Sequence, residues 1–236
     1  MIKNYQTILV EKKRLTPDQL LLKFLLIEPR EIVFQAGQYL ILKINNQSRL
    51  YSIFSSPRSK NSFELMVKLL PGGLGSDYLN NLKINDRVNF QGPAGNFTLR
   101  ENKKDKIFLA TYTGLAPLWS MINDYYENNR NSTLNLYLYW GLRTFEDTCL
   151  LNALKEICQR QNGFQFFLCF SQEKSLMEIP EENRKYFRLG RITDTLEPID
   201  NRFDYYICGS RQVVTGLNQF LLEKGIDPKN IYFEKF

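Results

Sequence analysis

The sequence predicts an α/β plus β architecture: an N-terminal antiparallel β-barrel followed by a doubly wound parallel-sheet domain. Two observations carry this prediction. Up to about residue 100 the apolar residues fall in short runs separated by turn residues, and beyond it apolar strands alternate with segments of helical spacing. The length, 236 residues, leaves room for two small domains.

In the first part, Ile8–Val10, Leu20–Ile27, Tyr39–Ile44, Leu50–Phe54, Phe63–Leu70 and Arg87–Phe90 read as strands, punctuated by Pro29, Gly37, Asn45-Asn46, Pro57 and Asn85-Asp86. Strands this short and this evenly spaced suit a barrel. Ser76–Leu82 breaks the pattern: Ser76 is placed to cap a brief helix that turns Leu79 and Leu82 inward. The polar stretch Glu101–Lys106 marks a boundary, giving domains 1–101 and 102–236. In the second part Ile107–Thr111 is extended, and Leu118, Met121, Ile122 and Tyr125 fall at helical spacing. Leu134–Trp140 is the next strand, Leu150, Leu154, Ile157 and Cys158 mark a helix, and Phe164–Phe170 is a buried strand. Tyr205–Cys208 is another strand, Val213, Leu217, Phe220 and Leu221 lie on a further helix, and Ile231–Phe233 closes the series. Strands alternating with helices require a parallel sheet with right-handed crossovers.

Composition narrows the chemistry. The chain has no histidine, which removes the usual general base of Ser/His/Asp and Cys/His catalysis and most zinc chemistry. Cys149, Cys158, Cys169 and Cys208 form no C-x-x-C pair, so iron–sulfur and zinc-ribbon spacings are absent from the sequence and no metal ligands are expected. No apolar stretch has the length of a membrane span, and a reduced, cytoplasmic setting is expected. The net charge of +6 is spread out; Lys103, Lys104 and Lys106 are interleaved with Glu101 and Asp105, without the basic stripe that nucleic-acid binding needs.

Two segments carry candidate binding chemistry. In Arg49-Leu50-Tyr51-Ser52, alternation along a strand puts Arg49 and Tyr51 on one face. A cation beside an aromatic ring suits a ligand with a phosphate at one end and a flat ring at the other, and equally suits a solvated sheet edge. In Pro71-Gly72-Gly73-Leu74-Gly75-Ser76, glycines ahead of a helix expose backbone N–H groups able to hold a pyrophosphate; a flexible turn would use the same residues.

Taken together, Ala36-Gly37-Gln38-Tyr39, Arg49-Leu50-Tyr51-Ser52, Gly73-Leu74-Gly75-Ser76, Gly92-Pro93-Ala94-Gly95, Thr113-Gly114-Leu115-Ala116-Pro117, Gly141-Leu142-Arg143, Asp147, Cys208-Gly209 and Glu234-Lys235-Phe236 resemble, in order, the ferredoxin–NADP reductase family of FAD- and NAD(P)-binding oxidoreductases. The resemblance implies an FAD-binding barrel and an NAD(P)-binding domain in a single module without an iron–sulfur domain. It implies that Arg49, Leu50, Tyr51, Ser52, Val67, Lys68, Gly73, Gly75 and Ser76 hold FAD. Thr113, Gly114, Ala116, Pro117, Gly141, Arg143, Cys208 and Gly209 would receive the nicotinamide nucleotide, with Pro117 at the first helical position. Ser52, Cys208, Glu234 and Phe236 would serve the reaction: Ser52 near flavin N5, Cys208 and Glu234 near the nicotinamide, and Phe236 against the flavin. Apart from the family, Cys208 reads as a core residue and Phe236 as a hydrophobic anchor. Hydride transfer between cofactors needs orientation more than a strong base, which accords with the missing histidine.

The implied activity is hydride transfer from NAD(P)H to FAD, with electrons passed on to a separate acceptor such as a ferredoxin, flavodoxin or oxygenase component. A reductase of free flavin or ferric chelates, and a flavin-binding electron-transfer or regulatory subunit with weakened nucleotide binding, are the alternatives. The last is motivated by Ala110-Thr111-Tyr112-Thr113-Gly114, where the family usually has two glycines ahead of Thr-Gly. Tyr112 either turns aside and adds stacking or weakens nucleotide binding. Ser171-Gln172-Glu173-Lys174 lacks a Ser-Arg pair for a 2′-phosphate and leans to NADH, while Ser210 replaces the family's proline and leaves Arg211 available.

Overall fold

The computed structural model describes residues 2–129 and 133–236. It divides into two compact units, one running to Arg100 and taking in Ala116–Asn128, the other made of Glu101–Leu115 and the chain from Asn129 on. The segment Ala116–Asn128 thus groups with the barrel rather than with the second domain expected from sequence.

The first unit is built on β1 (Lys3–Thr16), β2 (Gln19–Glu28), β3 (Tyr39–Ile44), β4 (Gln47–Ser52), β5 (Ser62–Lys68) and, after helix α1 (Leu74–Asn81), β6 (Arg87–Ala94). All neighbours pair antiparallel in the order β4-β3-β6-β1-β2-β5. The two edges meet where Ile53 bridges Leu65 and Phe54 N–H donates to Glu64 O at 2.8 Å, closing the barrel. Alternation explains the interior: Leu20, Leu22, Phe24 and Leu26 point inward from β2, and Phe24, Phe63 and Phe90 pack ring to ring at 5.0–5.5 Å. Asn45 and Asn46 both take positive φ in the two-residue turn that joins β3 to β4, a conformation asparagine tolerates. Strand β1 runs well beyond Ile8–Val10, because Lys12, Lys13 and Arg14 continue it with little burial.

Helix α1 starts at Leu74 behind an extended Gly73, so Ser76 lies in its first turn and is not its cap. The Ser76 hydroxyl instead accepts from Leu70 N–H at 2.8 Å and reaches Lys68 O at 3.4 Å, folding the glycine turn back onto the end of β5.

The second unit carries β7 (Asp105–Thr111), β8 (Leu136–Leu142), β9 (Phe164–Phe170), β10 (Phe187–Leu189), β11 (Phe203–Gly209) and β12 (Ile231–Lys235). The chain between them forms helices α2 (Leu115–Asn128), which from Ala116 on groups with the first unit, α3 (Leu151–Arg160), α4 (Glu181–Arg184), α5 (Ile192–Thr195) and α6 (Arg211–Glu223). All six strands are parallel in the order β10-β9-β8-β7-β11-β12, a doubly wound sheet whose direction of winding reverses between β7 and β11. Every residue of β11 is buried. Strand β10 and helices α4 and α5 were not expected; three or four residues carry too little periodicity to be read. A 3₁₀ turn at Tyr112–Gly114 leads straight into α2, so Pro117 is the third helical residue rather than the first; it still lies in the first turn, where its missing N–H is tolerated.

Lys106, at the end of the polar boundary stretch, is buried. It is 1% exposed and pairs with Asp204, also 1% exposed, at 2.9 Å, with Asn102 bonded to both. Burial lowers the Lys106 pKa, opposed by the bond and charge of Asp204.

Candidate functional site

In the barrel unit, β4 sets Arg49 and Tyr51 on one face, half-buried, while Leu50 points to the other and is 55% exposed. The first turn of α1 comes down on that face: a methyl group on Gly75 would lie 2.3 Å from Tyr51 Oη and 3.3 Å from Arg49 Cγ. The fold therefore joins the two sequence segments read separately as a cation–aromatic pair and a glycine turn, and only glycine leaves the space between them. Burial pushes the Tyr51 phenol up to about 12, against the opposing charge of Arg49, so the ring stays neutral. Arg49 donates to Ser48 O and to Gln47 Oε1, each at 2.9 Å, and forms no ion pair among the described residues. An unneutralised guanidinium beside a flat ring and a helix start has the donor chemistry for a phosphate and the surface for an aromatic ring. Ser52 is half-buried at the end of β4, and Val67 faces the core at 2% exposure. Lys68 Nζ pairs with Asp18 at 3.2 Å.

In the second unit, glycines near the carboxyl ends of β8 and β11 and in the turn after β7 let the chain pack closely there. A Cβ on Gly114 would lie 2.2 Å from Cys208 O, one on Gly209 2.6 Å from Thr111 Oγ1, and one on Gly141 3.1 Å from Thr111 Cγ2. The backbone of the 112–114 turn thus rests directly on the end of β11, at the point where the winding reverses and where open α/β sheets bind nucleotides. Asp147 Oδ2 accepts from the N–H groups of Arg143 (3.0 Å) and Thr144 (3.1 Å), which fixes the turn after β8. Ser210 caps α6, accepting from Val213 N–H at 3.5 Å, and Arg211 is exposed at its first position.

Cys208 is fully buried; burial, and then the charge of Glu234, raise its thiol well above the ordinary cysteine range. It is a protonated thiol, not a nucleophile. Glu234 lies opposite it in the β11–β12 register. Phe236 is 60% exposed, and its N–H donates to Gly209 O at 3.3 Å. Sequence reasoning read Trp140 only as a strand residue: this fully buried indole donates from Nε1 to Tyr112 O at 3.0 Å, a side-chain-to-backbone bond that leaves no signature in a sequence.

Residues 6–99 match the oxidoreductase FAD-binding domain and residues 108–219 the oxidoreductase NAD-binding domain. The chain is 30% identical over 238 residues to the toluate 1,2-dioxygenase electron transfer component of Pseudomonas putida, covering 98% of this chain and 67% of that protein. The chain belongs to the ferredoxin–NADP reductase family. It is also 32% identical over 219 residues to the 2-halobenzoate 1,2-dioxygenase electron transfer component of Burkholderia cepacia, covering 90% of this chain and 62% of that one. The crystal structure of the Amycolatopsis cytochrome P450 reductase GcoB superposes with a TM-score of 0.89 at 25% identity, covering all of this chain and 70% of that one. The ferredoxin reductase in carbazole 1,9a-dioxygenase, at 20% identity and a TM-score of 0.83, covers all of this chain and 70% of that one and shares the fold. The chain spans 59–67% of the length of the first four curated relatives it matches. As a member of this family it is an FAD-containing oxidoreductase, and its cofactors are FAD and a nicotinamide nucleotide. No helix among the described residues is long and apolar enough to cross a membrane.

Proposed function

We propose that this chain is the NAD(P)H-oxidising reductase of an oxygenase-type electron-transfer system, acting in the cytoplasm. Bound FAD would supply the redox chemistry, hydride acceptance from the reduced nicotinamide and one-electron release, for which this chain's residues would hold and orient it. The observation that carries the reading is the fit of Gly75 against Tyr51 and Arg49, a surface only glycine leaves open beside a phosphate-binding cation. Arg49 and the N–H groups of Gly75 and Ser76 hold the pyrophosphate, Gly73 shaping the turn ahead of them with its own N–H bonded to Leu70 O, while Tyr51 and Ser52 line the ring and Lys68 stands beside them; Leu50, on the other face of β4, and Val67, in the core, do not reach the ligand with their side chains. Thr113, Gly114, Ala116, Pro117, Gly141, Arg143, Cys208 and Gly209 receive the nucleotide. A neutral Cys208 and the carboxylate of Glu234 set the polarity at the nicotinamide end, and Phe236 is the movable aromatic there. None of these groups has to move a proton, so a chain without histidine is adequate to the task.

The relatives are electron transfer components of dioxygenases, and the net charge of +6 favours an acidic one-electron acceptor. Anaerobic addition of NADH or NADPH to the FAD-loaded protein should bleach the flavin absorbance, and an acidic ferredoxin or oxygenase component should restore it, more slowly as salt rises. Flavin that is bound yet not bleached by either nucleotide refutes the reading. Gel filtration separates it from a reductase of free flavin: FAD should travel with the protein.

A further inference from the structure

Tyr112 adopts φ +48°, the left-handed region that costs a bulky side chain about 1–2 kcal/mol and that glycine would occupy freely. Such an outlier persists only where its surroundings hold it, and here they do. The buried Trp140 indole donates its one N–H to the Tyr112 carbonyl. The Arg143 guanidinium stands over the Tyr112 ring, 5.8 Å from its centroid. Arg143 itself is pinned by its backbone: its N–H donates to Asp147 Oδ2 and its carbonyl accepts from Gln172 N–H, both at 3.0 Å. Its side chain forms no ion pair among the described residues, so the aromatic face is what orients it and its charge is not neutralised. All of this lies beside Gly114, Gly141 and Gly209, whose missing side chains clear the nucleotide crevice.

We infer that Tyr112 is a positioning residue for nucleotide binding: locked by Trp140, its ring holds the Arg143 guanidinium edge-outward as a clamp for the dinucleotide pyrophosphate. The residue that replaces a glycine does not obstruct the turn but supplies the surface on which its phosphate ligand rests. This rests on the reading of the glycine-lined crevice as the nucleotide site.

The test is binding of ADP-ribose, which carries the pyrophosphate without the nicotinamide, measured by calorimetry on the FAD-loaded protein and variants. Tyr112→Gly suits the positive φ and so preserves the fold. It should weaken ADP-ribose binding roughly three- to tenfold, the range of one cation–aromatic contact, and raise KM for NADH by the same factor with a smaller change in kcat. Tyr112→Phe keeps the ring and should keep the affinity. Arg143→Ala should weaken binding, and adding Tyr112→Gly to it should cause little further loss, since both act through one guanidinium. Tighter binding by Tyr112→Gly, or losses that multiply in the double variant, would overturn the inference. Wild-type protein that binds no ADP-ribose would overturn the site reading itself, whereas tight wild-type binding unaffected by Tyr112→Gly overturns only the role of Tyr112.

Discussion

Replacing Gly75 by alanine tests the proposed flavin surface at the point where α1 meets β4. The added methyl carbon falls 2.3 Å from Tyr51 Oη and 3.3 Å from Arg49 Cγ. Comfortable heavy-atom contact lies near ~3.5 Å, so the hydroxyl has to retreat by roughly 1 Å. Tyr51 packs against the barrel core and has limited freedom to do so. Overpacking of this kind costs about 1–3 kcal/mol, which as lost ligand affinity is roughly 5- to 150-fold. The structure also supplies the remedy. Tyr51→Phe deletes the clashing oxygen and leaves Cζ as the nearest ring atom, 3.5 Å from the new methyl, an ordinary contact. FAD titration of apoprotein, followed by flavin fluorescence, should therefore show a large loss for Gly75→Ala, a small one for Tyr51→Phe, and recovery toward the Tyr51→Phe value in the double variant. If Gly75→Ala is as damaging with phenylalanine at position 51 as with tyrosine, the hydroxyl is not what the glycine accommodates and the reasoning fails.

Three further outcomes follow from buried polar groups. Lys106→Met strands the Asp204 carboxylate in the interior and should cost about 3–5 kcal/mol in urea unfolding, whereas Lys106→Met with Asp204→Leu should regain most of it; equal losses in the single and double variants would refute the pairing argument. Gln19 is fully buried, and neither amide atom meets a partner among the described residues, so Gln19→Leu should raise stability by about 1–2 kcal/mol; a thermal melt that moves downward contradicts this. Burial holds the Cys169 thiol up at about 11, against 9.0 when exposed, and raises the Cys208 thiol as well. Because the unfolded thiols lose their protons first, stability is intact below pH 9 and should fall as pH rises from about 9 toward 11, by at most about 1.4 kcal/mol per pH unit for each thiol. Cys169→Ala with Cys208→Ala should flatten that slope, and an unchanged slope would assign it to other groups.

Much of this fold was legible because its signals are periodic. Tyr39–Ile44 and Phe164–Phe170 are bounded as the sequence reading has them, since each apolar run is delimited by turn residues on both sides. The ends of β1 and β4 were not, because charged and polar residues continue a strand whenever one face is wet. Helix α1 was placed two residues late because Ser76 has the chemistry of a cap, and only the tertiary bond to Leu70 N–H shows where the hydroxyl is used. The burial of Lys106 leaves no local signal for the same reason: its partner, Asp204, is 98 residues away. At the site, short motifs named Arg49, Tyr51 and Gly75, but their meeting depends on the barrel bringing α1 over β4. The departure at Tyr112 was visible as an anomaly; the indole that holds it was not.

Helix α2 leads a divided existence. Its chain links β7 to β8 in the wound sheet, while Trp119 stacks on Phe54 at 5.3 Å and Ser120 Oγ donates to Ser55 O at 2.7 Å, both just beyond β4. Cutting after Arg100 would leave the barrel without the Trp119 ring on Phe54 and without the Ser120 bond to Ser55. Recombination that swaps one half between family members has to carry residues 116–128 with the barrel they fit, thirteen positions that a cut in the polar stretch at 101–106 would separate from it.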